Sequence, residues 1–136
     1  MSSEHELIER TYRAYFTVFQ MGNPRAITPY YHLPSVFISE AGTFVLAGQN
    51  EAEQFFDRLI YGLRSRGYVR SVLTTVHVKQ VADDLALVNA RGERYKSDGK
   101  LLERLSALYT MRKSEDGTWR ITSAMMYDPE RTLELG

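Results

Sequence analysis

Two spacings of apolar residues divide this chain. Leu7, Ile8, Tyr12, Tyr15, Phe16 and Phe19 recur every three or four positions, which predicts one helix with a wide apolar stripe running to about Met21. Ser2 or Ser3 can cap it, and Glu4 and Glu6 place negative charge in its first turn, where the helix dipole favours it. Gly22-Asn23 ends this helix, and Pro24 opens a short second one that runs to Tyr31 and is broken by Pro29. Pro34 then forces extended backbone. Residues 35–40 and 43–47 read as a small hairpin around Ala41-Gly42. Asn50 is placed to cap a third helix, whose stripe is Phe55, Phe56, Leu59, Ile60 and Leu63 and whose end carries Arg64, Arg66 and Gly67.

From Val69 onward the spacing drops to two, the period of a strand. The first long strand, 69–81, puts Val72, Thr74, Val76 and Val78 on one face. A three-residue loop at 82–84 sets Val78 beside Val88 and matches apolar faces. Asp98-Gly99 and Asp116-Gly117 mark two further turns, because glycine takes positive φ without steric cost. A two-residue loop at Asp98-Gly99 makes Ser97 face Lys100. It also pairs Arg94 with Glu103, Gly92 with Leu105, Ala90 with Ala107, Val88 with Tyr109 and Ala86 with Met111. The predicted order is α-α-β-β-α-β-β-β-β, an α+β protein with three helices packed on one face of an antiparallel sheet. Leu73, Leu85, Leu87, Leu102, Leu108 and Met126 fall on the other face. Mixed there with polar residues, they make it a candidate homodimer surface, with a solvated face as the simpler alternative. The polar tail 128–136 is expected to fray.

Composition narrows the chemistry. One domain of 136 residues suffices for a single core, and 17 basic against 17 acidic residues give no electrostatic footprint for nucleic acid or an anionic membrane. Zero cysteines exclude disulfides and thiol nucleophiles, and three scattered histidines (His5, His32, His77) give no metal-ligand cluster, so neither a metal nor another cofactor is expected. No apolar run reaches membrane-spanning length and the N-terminus is acidic, which predicts a cytoplasmic protein without membrane contact.

Several motifs together resemble the nuclear-transport-factor-2-like superfamily: Met21-Gly22-Asn23-Pro24, then Tyr30-Tyr31, Ser35-Val36-Phe37-Ile38-Ser39-Glu40, Gly48 before a helix, and Asp116-Gly117-Thr118-Trp119-Arg120-Ile121. The resemblance spans nearly the whole chain. It implies a cone in which helices close over the concave face of a curved sheet, with a cavity at the open end and dimers through the outer face. The superfamily includes ketosteroid isomerases, polyketide-cyclase-like proteins, scytalone dehydratase and limonene epoxide hydrolase as well as non-catalytic members, so fold does not fix function. Against the isomerase pattern, Tyr15 matches the helix tyrosine that donates to an oxyanion and Tyr109 matches the acid that assists it. Ser39 stands where the isomerases carry their proton-abstracting Asp, and a serine hydroxyl cannot do that work near neutral pH.

The candidate catalytic residues are therefore Tyr15, Tyr109 and His32, the last for its near-neutral pKa. Phe19, Tyr31, Phe37, Phe56, Met111, Trp119, Ser123 and Met125 are candidates to line a ligand cavity, with core packing as the alternative. Arg94 and Glu103 join them as a fragment of a water-activating network or, more simply, as a cross-strand ion pair. The expected function is binding of a small apolar, oxygen-bearing molecule. A lyase, isomerase or cyclase, or a dimerising domain without ligand, are the alternatives.

Overall fold

A computed structural model describes residues 3–135. Ser3 caps helix α1 (Glu4–Gln20), its side chain accepting from the Glu6 amide, while Ser2 lies outside the described residues. Gly22 follows at φ 71°, and the Arg64 guanidinium packs against it and donates to the Met21 carbonyl. The broken second segment is α2 (Pro24–Ile27) continued by a 3₁₀ turn at Thr28–Tyr30. Strands β1 (Tyr31–Ser39) and β2 (Gly42–Leu46) form the small hairpin. Helix α3 (Gln49–Ser65) starts two residues earlier than Asn50 predicts: Gly48 is its N-cap, with no side-chain cap bond. The long strands are β3 (Tyr68–Ala82), β4 (Leu85–Lys96), β5 (Leu101–Lys113) and β6 (Trp119–Met126).

The six strands form one open sheet in the order β2-β1-β6-β5-β4-β3, antiparallel except where β1 runs parallel to β6. The three helices cover one face, and the buried stripes of α1 (Ile8, Tyr12, Tyr15, Phe19) and α3 (Ala52, Phe56, Ile60, Leu63) meet Val88, Ala90, Ala107, Tyr109 and Ile121 beneath them. Small residues at Ala86, Ala90, Gly92 and Ala107 leave room for the aromatic side chains of α1.

The counted pairing of β4 with β5 holds from Ala86–Met111 to Arg94–Glu103. It slips by one at Tyr95, which faces Leu101, so Ser97 does not face Lys100. The reason is the turn type: the Gly99 amide donates to the Lys96 carbonyl and Gly99 takes φ 83°, a turn closed by a glycine bulge. Gly117 repeats this geometry, with its amide on the Ser114 carbonyl and the same φ. There Arg120 grips the Asp116 carboxylate through two nitrogens, and with the Thr118 amide it draws the Asp116 pKa down to about 2. Val78 does face Val88, but through a two-residue turn and a bulge at Val81, because Ala82 faces Leu85.

Two more bulges reverse predicted faces. One at Thr74 turns Leu73 inward, opposite Gly92, and leaves Val72 on the outer face opposite Glu93. Another at Thr122 puts the Thr122 and Ser123 hydroxyls beside Thr110 on the outer face, sends Met125 outward opposite Leu108, and brings Ala124 and Met126 inside. Leu73 and Met126 therefore belong to the interior, and Ser123 and Met125 do not. Leu102 also packs against the core.

The described tail, residues 127–135, is tied down and not frayed, while Gly136 lies outside the described residues. The carbonyls of Pro129 and Arg131 accept from Arg91, that of Leu133 from Asn89 and that of Leu135 from Lys79, so alternate residues are tied to the outer face of β3 and β4. Asn89 is 5% exposed and also accepts from the Tyr127 hydroxyl, which starts the tail on this path. Among the described residues no helix is long and apolar enough to cross a membrane.

Candidate functional site

Helix α1 lies lengthwise along the sheet, with its first turn over Trp119 and its last over Arg94. At the Trp119 end the structure is closed. The indole Nε1 donates to Glu4 at 2.7 Å and Lys113 Nζ reaches the same carboxylate at 2.6 Å, which together hold the Glu4 pKa below the usual carboxylate value. At the Arg94 end the layers part. A narrow cavity of about 30 Å³ lies between Tyr15, Phe16, Phe19, Phe37, Leu59, Ser71, Arg94, Leu105, Tyr109 and Met126. This neck adjoins an open cleft of about 620 Å³, with which it shares Phe37, Leu59, Arg94, Leu105 and Met126.

Four tyrosines meet behind the neck. The Tyr15 and Tyr31 hydroxyls are 2.7 Å apart, and the Tyr109 ring lies 4.9 Å from that of Tyr12 and 5.9 Å from that of Tyr15. Burial is the main force raising the pKa of all four, so each is a protonated donor at neutral pH. For Tyr109 the rise is partly offset by its neighbour Tyr12 and by the positive charge of Arg94. The Tyr12 hydroxyl beside Tyr109 is sealed from solvent and makes no hydrogen bond among the described residues. Either hydroxyl can donate across the Tyr15–Tyr31 contact, and in the arrangement where Tyr31 donates, the Tyr15 proton is free for another acceptor.

Where neck and cleft join, Glu103 is held by two guanidiniums, Arg94 at 3.0 Å and Arg66 at 3.1 Å. The Arg94 side chain is only 13% exposed, stands over the Phe19 ring, and leaves its Nε buried without an acceptor.

Of the residues singled out in the sequence, Tyr15, Tyr109, Phe19, Phe37 and Arg94 line the neck, and Glu103 lines the cleft. Tyr31 stands behind Tyr15 as its hydrogen-bond partner. Phe56 is core, packed on Tyr31 and Phe55, and Met111 and Trp119 are buried toward the closed end. His32 lines neither space, because it follows the inward Tyr31 along β1 and points the other way. Ser123 and Met125 are on the outer face, as the bulge at Thr122 requires. Ser39 does border the cleft, where its hydroxyl accepts from the Ala41 amide. Glu40 borders it as well. It lies one residue past the end of β1, so strand alternation does not turn it away, and it joins Glu103 and Asp128 as a third carboxylate of the cleft. Phe16, Leu59, Ser71, Leu105 and Met126 were also not singled out as lining. Phe16 and Leu59 lay on the predicted helical stripes and Leu105 faced Gly92 in the counted register, whereas Met126 was placed on the other face and the bulge brings it inside. Among the described residues no three acidic or histidine side chains gather as a metal site needs.

An open curved sheet wrapped on one face by three helices, with a cavity at the wide end, defines the cone-shaped α+β class. A family model described as NTF2-like protein (DUF6841) matches residues 3–129, and the chain belongs to that family. No curated protein matches the chain in sequence. Among solved structures it is similar to an NTF2-like protein with a cystatin-like fold from Novosphingobium aromaticivorans, with TM-score 0.74, 16% identity, and 93% of this chain and 82% of that one covered. A ketosteroid isomerase-like protein from Erwinia carotovora atroseptica gives 0.69 at 18% identity, covering 96% and 100%. The yeast UBP3-associated protein BRE5 gives 0.74 at 16% identity, covering 93% and 97%. At these identities the likeness is one of fold.

Proposed function

We propose that this protein binds a small molecule with an apolar body and an acceptor oxygen, the oxygen seated in the neck and the body in the cleft. One observation carries this reading: the buried tyrosines Tyr15 and Tyr109 line a cavity that opens past Phe37, Leu59 and Leu105 into the cleft. The cleft falls in the size range of small-molecule sites, and the neck lies far below it. A thermal-shift screen of cyclic ketones, phenols and aromatic acids tests it. A ligand at 100 times its Kd stabilises by about 2.7 kcal/mol, which is readily measured. For compounds that bind, Tyr15→Phe is expected to weaken affinity by about 3–10-fold, the worth of one buried neutral hydrogen bond. If no compound shifts the wild type, or Tyr15→Phe leaves affinity untouched, this seating is wrong.

A catalytic reading of the same site is favoured by Glu40, which supplies the cleft with a carboxylate in the absence of a base at Ser39. Turnover of a bound compound that disappears in Glu40→Gln while binding persists would move the protein to the lyase or isomerase class. A homodimer through the outer face remains part of the proposal in a narrower form. Leu85, Leu87, Leu108 and Met125 lie there, but the tail occupies the neighbouring part over Lys79, Asn89 and Arg91. Sedimentation velocity decides between dimer and monomer.

A further inference from the structure

The polar groups around the neck are unusually one-sided. Tyr15, Tyr109 and Ser71 bring hydroxyls and Arg94 brings a guanidinium, and no carboxylate or amide side chain lines it. The Ser71 hydroxyl is already engaged with that of Tyr68 at 2.6 Å. The one charge at the neck is therefore a cation. Glu103 does not cancel it, because that single carboxylate is shared between Arg94 and Arg66. The other acids of the cleft, Glu40 and Asp128, border the cleft and not the neck, and Arg104 is taken up by Glu130 in the tail.

We propose that the neck is a carboxylate site, so that the ligand is an apolar carboxylic acid bound head-first, its carboxylate on Arg94 and the Tyr109 and Tyr15 hydroxyls. This rests on the binding reading above and narrows it to one substrate class. Three observations converge. The neck, about 30 Å³ against about 620 Å³ for the cleft, suits a compact head group and not the body of the ligand. A mostly buried guanidinium over an aromatic face acts in a medium of low dielectric, where its attraction for an anion is much stronger than in water. Its geometry also suits a planar carboxylate. The reverse orientation, apolar end first, would seal the guanidinium against hydrocarbon with Glu103 as its one acceptor and leave the Arg94 Nε–H unpaired. The apolar body instead meets Phe37, Leu59, Leu63 and Met126 along the cleft.

Matched pairs separate charge from shape: benzoate against benzamide, phenylacetate against phenylacetamide, and octanoate against octanamide, titrated calorimetrically into the full chain. At least one acid is expected to bind about tenfold or more tighter than its amide, as a charge-assisted hydrogen bond implies. Arg94→Met should remove that advantage and bring the acid to the affinity of the amide. Arg94→Lys, which keeps the charge without the planar fork, should restore part of it. Arg66 still holds Glu103 in both variants, and circular dichroism confirms that each is folded. Should Arg94→Met fail to fold, the wild-type pairs and Arg94→Lys still decide the question. Equal binding of acids and amides, or an unchanged acid advantage in a folded Arg94 variant, overturns the carboxylate assignment and leaves the binding reading standing. No binding by any member of the pairs, together with a negative screen, overturns both.

Discussion

Trp119→Ala is expected to lower the unfolding free energy by about 3–5 kcal/mol, the usual cost of truncating a fully buried large aromatic residue. The indole is 1% exposed. It opens β6 immediately after the Asp116-Gly117 turn, faces Lys113 across the ladder, and donates to Glu4 in the first turn of α1. One side chain thus ties the last hairpin to the first helix and closes the narrow end of the cone. A domain of this kind has only about 5–15 kcal/mol in total, so the loss takes a third or more of it from an average member. Urea unfolding followed by circular dichroism is the appropriate measurement, because Trp119 is the only tryptophan and its removal abolishes the fluorescence probe. Glu4→Gln should cost much less, since the apolar contacts of the ring remain. A loss below about 1 kcal/mol for Trp119→Ala, against the usual range for buried aromatics, would show that the closed end does not anchor the fold.

Trp119 also shows what a sequence conveys and what it withholds. Its inward face was readable from alternation, as was that of Ile121, and both are buried. Two residues later alternation fails, because Thr122 and Ser123 both sit opposite Thr110 and the bulge exchanges Ser123 and Met125 for Ala124 and Met126. A bulge adds one residue to one strand, and no residue type announces it when no glycine is involved. The same event at Thr74 exchanged Val72 for Leu73. Where a turn residue marked the pairing, as at Asp98-Gly99, the register down to Ala86–Met111 was legible from one end. In the candidate site the same division holds. Tyr15 and Tyr109 were singled out by the resemblance and Arg94 by the hairpin register, and helix period and register are what place all three along the neck. Glu40 was not singled out, because it falls one residue past the strand, where alternation says nothing of its direction. The tail was read as frayed because its contacts are made by backbone carbonyls, which every residue carries and no composition reveals.

Gly92→Ala is the second large effect, expected to cost about 1–3 kcal/mol although it adds only a methyl group. A Cβ built at Gly92 would lie 2.6 Å from the Val72 carbonyl oxygen and 3.4 Å from the Phe16 ring. The first distance is decisive, because a backbone carbonyl within a ladder cannot swing aside as a side chain can. Gly92 faces Leu73 on β3, next to the bulge at Thr74, and it faces Leu105 on β5. A methyl group there must push β3 away from β4 or displace the bulge that turns Leu73 inward. Phe16, Leu105 and Arg94 all line the neck and lie near this point, so the same push should also weaken any ligand seated there. A second variant separates the two contacts. If the ring of Phe16 were the obstacle, Phe16→Leu combined with Gly92→Ala would recover the stability lost by Gly92→Ala alone, measured against Phe16→Leu as the background. With the carbonyl as the obstacle, the cost of Gly92→Ala should be the same in both backgrounds. A double-mutant cycle in urea measures this, and coupling above about 0.5 kcal/mol would assign the clash to the ring and not to the strand.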